Sequence, residues 1–139
     1  MVEEIEEPLA GSYIKKNIES AISYAVQNSS RESITYTELF EAAGLKPPQW
    51  YFEEGFRSVI TDFMEAFHFA CACAELPPFD AFVVNASGDR ANYPGIGYFT
   101  VNGLIDPLDE HTSISKAKTA ILFREEQLQQ IRTWNEDQD

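Results

Sequence analysis

Apolar residues recur at helical spacing in three long segments of the chain, and each segment predicts an amphipathic helix. The first helix is expected from a cap at Ser12 to about Asn28, and its apolar positions are Ile14, Ile18, Ala21, Ile22, Ala25 and Val26. The second is expected from about Gln49 or Phe52 to Cys73, with a wide apolar side made of Phe52, Phe56, Val59, Ile60, Phe63, Met64, Phe67 and Cys71. The third is expected from a cap at Ser113 or Ser115 to about Trp134, with Ala117, Ala120, Ile121, Leu128 and Ile131 inward. The width of the middle stripe predicts a central core helix.

Shorter elements are predicted between these helices. Residues 34–36 form a short extended piece, and Thr37 is expected to cap a short helix that places Leu39, Phe40 and Ala43 inward and stops at Gly44. After the second long helix, "LPPFDAFVVN" predicts a strand centred on residues 82–84. "NASGD" is a turn, and "YPGIGYFTV" is expected to return as a second strand or an irregular wing.

The order of these elements is helix, short strand, short helix, long helix, hairpin, helix. It predicts an α+β fold of the winged-helix type, with three to four helices and a small β-hairpin or sheet. The chain has 139 residues, of which 44% are hydrophobic and 13% aromatic, so we expect one domain with a packed core. We place that domain at residues 12–135, between acidic tails at residues 1–11 and 136–139.

Neither end of the sequence predicts a membrane or secretory segment. No apolar run approaches the roughly 20 residues that span a bilayer. The first residues, "MVEEIEEPLAG", are acidic, whereas a secretory signal begins with basic residues and continues with apolar ones. We therefore expect a soluble cytoplasmic protein with no membrane partner.

Charge is the strongest compositional signal. The chain has 23 acidic and 10 basic residues and a formal net charge of −13. Proteins bind nucleic acids mainly by neutralising phosphates with Lys and Arg, so this balance disfavours a nucleic-acid partner. It favours a basic protein as the partner, which includes proteins that themselves bind nucleic acids. An acidic surface that serves solubility alone is the alternative interpretation.

No residue constellation in the sequence predicts catalysis, a metal site or a cofactor. His68, Cys71 and Cys73 lie close together, but zinc needs three or four converging ligands, and on a helix Cys73 points away from the other two. Cys71 has His68 one turn before it, yet its neighbours are apolar and do not favour a thiolate. There is no Gly-x-Ser-x-Gly sequence, and "YPGIGYF" lacks the spacing and the lysine of a phosphate-binding loop.

Three segments carry a resemblance to a known family. They are "YTELFEAAGL" (36–45), "GFRSVITDFMEA" (55–66) and "LPPFDAFVVNASGDRANYPGIGY" (76–98). Together they resemble the winged-helix DNA-binding part of the DNA alkyltransferases and alkyltransferase-like proteins. The matching positions in the three family motifs are Tyr36, Glu38 and Leu39, then Arg57 and Val59, then Val83 and Val84.

The residues that carry the family's chemistry are absent. Asp80 stands where the family has its alkyl-accepting cysteine, and Ala81 and Phe82 replace the His and Arg that follow it. The resemblance therefore implies a winged-helix fold without alkyl transfer. The helix that would lie in the DNA groove carries one basic residue, Arg57, among several acidic ones.

Three functions follow from these observations. The leading hypothesis is a non-catalytic acidic module that binds a basic protein, as an inhibitor of the DNA-mimic or phage anti-defence type would. Its expected partner-binding residues are Glu53, Glu54, Asp62, Glu65, Arg57, Arg90, Asn92 and Tyr93. The second hypothesis is a winged-helix DNA-binding regulator that uses Arg57 and Arg90. The third is an enzyme with a site around His68, Asp80 or His111. The oligomeric state is left open.

Overall fold

The computed structural model describes residues 13–45, 54–87 and 90–138, and in residues 54–59 it describes the backbone alone. Five helices and two short strands are present in these ranges. In chain order they are α1 Lys15–Gln27, β1 Ile34–Thr35, α2 Tyr36–Ala42, α3 Glu54–Cys73, β2 Val83–Val84, α4 Ile96–Val101 and α5 Ile114–Asp137. A 3₁₀ helix at Phe79–Phe82 precedes β2.

Helix α1 lies close to its predicted range, but its cap differs from the prediction. Ile14 is the N-cap residue, and its backbone N–H donates to Oδ1 of Asn17 at 2.8 Å. The predicted cap, Ser12, lies outside the described residues. Ile18, Ala21 and Ala25 are buried as expected. Ile14 was expected to face inward and is instead 63% exposed, because it precedes the first turn and is not on the buried face of the helix.

Helix α2 has clear signals at both ends. Its N-cap is Thr35 and not the predicted Thr37, because the hydroxyl of Thr35 accepts the backbone N–H of Glu38. At its C-terminus Gly44 has a φ of +79°, and Leu45 N–H donates to the Phe40 carbonyl at 3.0 Å. This is the Schellman arrangement that the predicted glycine stop favours. The inward positions of Leu39, Phe40 and Ala43 are confirmed.

The central helix α3 ends at Cys73, as predicted. Phe63, Met64, Phe67 and Cys71 are buried along one side of it. Beyond its last turn, Glu75 takes a φ of 57°, and Leu76 N–H donates to the Cys71 carbonyl at 3.0 Å. The chain therefore ends this helix with a left-handed residue that is not glycine, and then turns into the 3₁₀ helix.

The predicted hairpin is wrong. β2 pairs with β1, and the two strands are parallel, with Ile34 opposite Val83 and Thr35 opposite Val84. The connection between them passes through α2 and α3, as parallel strands require a long crossover. The segment expected to return as a strand or wing contains helix α4. Tyr98 and Phe99 are both buried there, whereas the alternation of a strand would have turned one of the two outward.

The last helix is capped by Ser113, whose hydroxyl accepts the backbone N–H of Lys116. It continues through Asp137, two residues into the segment expected to be an acidic tail. Ala120 and Ile131 are buried as expected. Ile121 was expected inward and is 41% exposed, because only a narrow side of α5 contacts the rest of the protein.

The core lies where α1, α2 and α3 meet the 3₁₀ helix, β2 and α4. Aromatic rings fill much of it: Phe40 and Phe63 have ring centroids 4.6 Å apart, and Phe79 meets Trp134 of α5 edge-to-face at 5.5 Å. The fold is therefore α+β and rich in helices, with one small parallel sheet. Among the described helices, none has an apolar stretch of the length and hydropathy that crossing a bilayer demands.

Candidate functional site

Helix α3 presents a continuous exposed face to solvent. Asp62, Glu65, Phe69, Ala72 and Cys73 are all exposed, and their spacing of three, four, three and one residues places them on one side of the helix. We call these five residues the α3 stripe. The opposite side of the helix is buried in the core, so the packing of α3 fixes the direction in which the stripe faces.

The two carboxylates of the α3 stripe lie one turn apart near Tyr13. Among the described side chains, neither Asp62 nor Glu65 forms an ion pair with a basic group. The pKa of Tyr13 is raised by partial burial, by the charge and hydrogen bonding of Asp62, and by the charge of Glu65. Tyr13 also packs edge-to-face on Phe63 at 5.3 Å. The negative potential at this end of the stripe is therefore not neutralised by the groups described around it.

Phe69 gives the α3 stripe an apolar centre. Its side chain is 53% exposed, although a phenyl ring is among the groups that folding favours most to bury. The ring of His68 meets it edge-to-face at 5.2 Å. Aromatic residues are enriched at protein-binding surfaces, where they act as anchors, so the half-exposed ring of Phe69 is the feature of this face that favours binding to another protein.

The partner-binding residues predicted from the sequence include the two acids of this face and do not include its aromatic residue. Asp62 and Glu65 are exposed on α3, as expected of partner-binding residues. Glu54 and Arg57 belong to the first turns of α3, where the backbone alone is described, and Glu53 lies outside the described residues. Phe69 was not predicted as a site residue. The helical spacing of Phe63, Phe67 and Cys71 defines the buried side of α3. Phe69 does not follow this spacing, so the sequence could have predicted that it faces solvent.

Arg90 was expected to be a partner-binding residue, but its side chain is held within the fold. Its guanidinium holds both carboxylate oxygens of Asp106, at 2.8 and 3.0 Å, and also donates to the Pro94 carbonyl at 3.0 Å. Its side chain is 24% exposed. The side chain is largely buried because the two hydrogen bonds from its guanidinium to Asp106 join the turn before α4 to the loop after it. Arg90 therefore stabilises the contact between these two segments.

Asn92 and Tyr93, the other two predicted partner-binding residues of this segment, differ from each other. Asn92 is exposed and has a φ of 67°, a backbone conformation that asparagine tolerates better than most residues. Tyr93 is half-buried, and the guanidinium of Arg124 lies 5.7 Å from its ring centroid. Within the described part of the chain, no hydrogen bond or ion pair joins this turn to the α3 stripe.

His68 and Asp80, which the enzyme hypothesis named, lie in contact. Nδ1 of His68 is 2.9 Å from Oδ2 of Asp80, and the Asp80 side chain is only 3% exposed. The hydrogen bond to Asp80 raises the pKa of His68 against the opposing effect of burial, and the charges of Asp80 and Glu65 add to the rise. Oδ1 of Asp80 is buried without a hydrogen-bond partner. His111, the third residue of that hypothesis, lies on the exposed loop before α5.

The groups around Asp80 do not form an activated nucleophile. Burial and the Asp80 charge raise the pKa of the Cys71 thiol to about 12, so this cysteine is protonated at neutral pH. Burial also raises the pKa of Tyr36 to about 12, and it raises that of Tyr98. The hydroxyl of Tyr36 accepts the backbone N–H of Gly95 at 2.6 Å. These groups support the interior, and the His68–Asp80 pair links α3 to the 3₁₀ helix.

Two further places were candidates for a ligand. In the described ranges, no three His, Cys, Asp or Glu side chains are close enough to hold a metal ion. A groove of about 420 Å³ lies between residues 29–32 and the last turns of α5. It is lined by both acidic and basic side chains, including Arg31, Glu32, Arg132 and Glu136. Arg31 already forms an ion pair with Glu38 at 2.6 Å.

Comparison of the chain with protein-family models, with curated proteins and with solved structures gave no significant match. The geometry of the described residues therefore carries the functional argument alone.

Proposed function

We propose that this protein is a non-catalytic interaction module that binds a basic partner protein through the α3 stripe. The observation that carries the proposal is the exposed face of α3, where Asp62 and Glu65 form no ion pair with any described basic side chain and Phe69 is half-exposed. The apolar ring supplies contact area, and the two carboxylates supply orientation and charge selectivity.

The chemistry of the partner follows from the charge. The chain has a net charge of −13, so a basic protein is attracted to it from beyond contact distance. Residues one helical turn apart have Cβ atoms about 5–6 Å apart, so Asp62 and Glu65 present two negative charges close together, as the phosphates of a nucleic acid do. We infer that the partner is a nucleic-acid-binding protein and that the α3 stripe blocks its basic surface.

A nucleic acid fits the described charges less well. Arg90, on which the DNA-binding alternative relied, is held by Asp106, and Arg31 is held by Glu38. Bringing the α3 stripe close to a phosphate backbone would place like charges together, which costs free energy. The winged-helix relationship stays a prediction, and binding to a basic protein does not require it.

The experiment is a pull-down from nuclease-treated native extract at low and at high salt. It compares the wild-type protein with the double variant Asp62→Lys, Glu65→Lys. The matched control is Glu126→Lys, Glu136→Lys, which changes two exposed acids on α5 and alters the net charge by the same amount. High salt shortens the screening length from about 10 Å at 0.1 M to about 3 Å at 1 M, so it weakens contacts between exposed charges.

We expect a basic protein that survives nuclease treatment, dissociates at high salt, and is lost from the α3 variant while the α5 control retains it. If both variants retain the partner equally, the α3 stripe does not bind it. Recovery of nucleic acid, or loss of every partner after nuclease treatment, would favour the DNA-binding alternative.

A further inference from the structure

Helix α5 exposes three large apolar side chains, all in its first half. Of the 24 residues in this helix, Ala120 and Ile131 are the buried ones, and they lie on the same side. On the other side, Ile114 is 77% exposed, Ile121 is 41% exposed and Leu122 is 63% exposed. A stable helix of this length in water normally keeps such a face polar.

These apolar residues form one line with two charged ones. Ile114, Lys118, Ile121, Leu122 and Glu125 are all exposed, and their offsets from Ile114 are four, seven, eight and eleven residues. That spacing follows a heptad-like seam along one face of a helix. We call these five residues the α5 stripe. None of them belongs to the α3 stripe.

The two charges of the α5 stripe have no partner on their own helix. The residues three and four positions from Lys118 are Ile114, Ser115, Ile121 and Leu122, and those at the same distances from Glu125 are Ile121, Leu122, Leu128 and Gln129. None of these residues carries a charge. Among the described side chains, neither Lys118 nor Glu125 takes part in an ion pair. The stripe therefore has an apolar centre, with a cation on one side of it and an anion on the other.

From this pattern we propose that the α5 stripe is the interface of a two-fold symmetric dimer, in which α5 packs antiparallel against α5 of a second copy. In the register that places Ile121 opposite Leu122 of the partner subunit, Lys118 faces Glu125 of the partner subunit. Two-fold symmetry repeats both contacts, so the part of the stripe from Lys118 to Glu125 is complementary to itself. Four apolar side chains meet at the axis, and two ion pairs flank them.

The charge pattern selects this arrangement over a parallel one. In a parallel pair, Lys118 would face the same lysine of the second copy, and Glu125 would face the same glutamate, so both contacts would be repulsive. An interface of one helix from each subunit is at the small end of protein interfaces, and we expect a dissociation constant on the order of 10 µM. The dimer is therefore a concentration-dependent one.

Sedimentation equilibrium of the full chain at near-physiological salt tests the proposal, over roughly 1 µM to 1 mM protein. The variants are Lys118→Glu, Glu125→Lys, and the double swap of both. Each single variant leaves two like-charge contacts in the dimer and is expected to weaken association by about tenfold or more. The double swap restores the opposite-charge contacts and is expected to return association to near the wild-type level.

Controls separate this specific pairing from net charge and from unfolding. Lys116→Glu and Glu126→Lys make the same charge changes at exposed positions off the stripe, and they are expected to leave association unchanged. Leu122→Asp places a charge at the apolar centre and is expected to give a monomer whose circular dichroism matches that of the wild type. Lys118, Leu122 and Glu125 are exposed, so none of these changes disturbs the core.

Three results would overturn the proposal. They are a wild-type protein that stays monomeric throughout the concentration range, association that is insensitive to the single variants, and a double swap that fails to restore it. If the α5 stripe instead binds a different protein, the purified wild-type protein will be monomeric, which is the first of these results. The dimer does not depend on the α3 stripe, so its failure leaves the proposed function standing.

Discussion

At the scale of single residues, Asp80 is a buried carboxylate whose lost hydration is only partly replaced by hydrogen bonds. A carboxylate that is 3% exposed loses nearly all of its hydration, and one of its oxygens has no hydrogen-bond partner among the described groups. Its other oxygen is held by Nδ1 of His68. The contact is strongest when His68 is protonated, because the pair is then a charge-assisted hydrogen bond between opposite charges.

The His68–Asp80 pair predicts a stability that depends on pH. The folded-state pKa of His68 is raised, so its contribution is fully present below the unfolded value of about 6.5 and is lost as the pH rises through the folded-state pKa. We expect the wild-type protein to exceed His68→Gln in free energy of unfolding at pH 6, and the difference to shrink as the pH rises. Urea denaturation at a series of pH values measures this.

Glutamine is chosen because it still donates a hydrogen bond to Asp80 but does not titrate. His111→Gln is the control, since the side chain of His111 is 87% exposed. A difference between wild type and His68→Gln that stayed constant from acid to alkaline pH would show that the pair does not titrate with folding.

A second residue-scale prediction concerns Glu75. It ends α3 with a φ of 57°, a left-handed conformation that costs a residue with a Cβ about 1–2 kcal/mol. Glu75→Gly is therefore expected to raise the free energy of unfolding by about 1 kcal/mol.

The opposite change can be made after α4. Gly103 has a φ of 72° and open space around it, so Gly103→Ala places a Cβ in the same left-handed conformation and should lower the free energy of unfolding by a similar amount. Chemical denaturation measures both, and unchanged midpoints would contradict the prediction.

At the scale of elements, the parts predicted correctly were those set by local signals. The end of α3 at Cys73 and the stop of α2 at Gly44 follow from nearby residues. The hairpin failed because the pairing of a strand is not local: β2 pairs with β1, about 50 residues earlier in the chain. The His68–Asp80 contact joins elements separated by a helix end and a turn, and the sequence gives no measure of such a distance.

A hydrogen bond from the backbone to a side chain joins the start of α4 to α2. The hydroxyl of Tyr36, the first residue of α2, accepts the backbone N–H of Gly95, the N-cap of α4, at 2.6 Å. Tyr36→Phe removes the acceptor and leaves that N–H without a partner, which costs about 1–3 kcal/mol. We expect a loss of this size in the free energy of unfolding. Amide hydrogen exchange should also become faster at Gly95 and in the first turn of α4.

Tyr24→Phe is the matched control for that variant. The hydroxyl of Tyr24 donates to Glu38, which also holds Arg31 and is more exposed, so the loss should be smaller. An equal loss for both variants would mean that the Tyr36 contact contributes no more than a surface hydrogen bond.

At the scale of the whole molecule, the described arginines and the acids of the α3 stripe differ in how many contacts they make within the fold. Three of the arginines are used within the fold: Arg31 holds Glu38, Arg90 holds Asp106, and Arg124 donates to the Ala81 carbonyl. The acids of the α3 stripe have no such partners among the described side chains. The carboxylates of Asp62 and Glu65 therefore stay available to another molecule, whereas Glu38 and Asp106 are already paired.

The two proposed surfaces have different chemistry and predict different partners. The α3 stripe combines two carboxylates that pair with no described basic side chain and one aromatic ring, which favours a basic partner. The α5 stripe balances one cation against one anion about an apolar centre, which favours a second copy of itself. A dimer through α5 would present two α3 stripes, and it would bind a partner with two basic sites more tightly than the monomer does.

The most direct test of the proposed function is the salt dependence of binding to the purified basic partner. Isothermal titration calorimetry gives the dissociation constant for the wild type and for Asp62→Lys, Glu65→Lys at several salt concentrations. We expect wild-type affinity to fall as salt rises, and the variant to bind about tenfold to a hundredfold more weakly at low salt, with a flatter salt dependence. Equal affinity and equal salt dependence for the two proteins would contradict a role for the α3 stripe in binding.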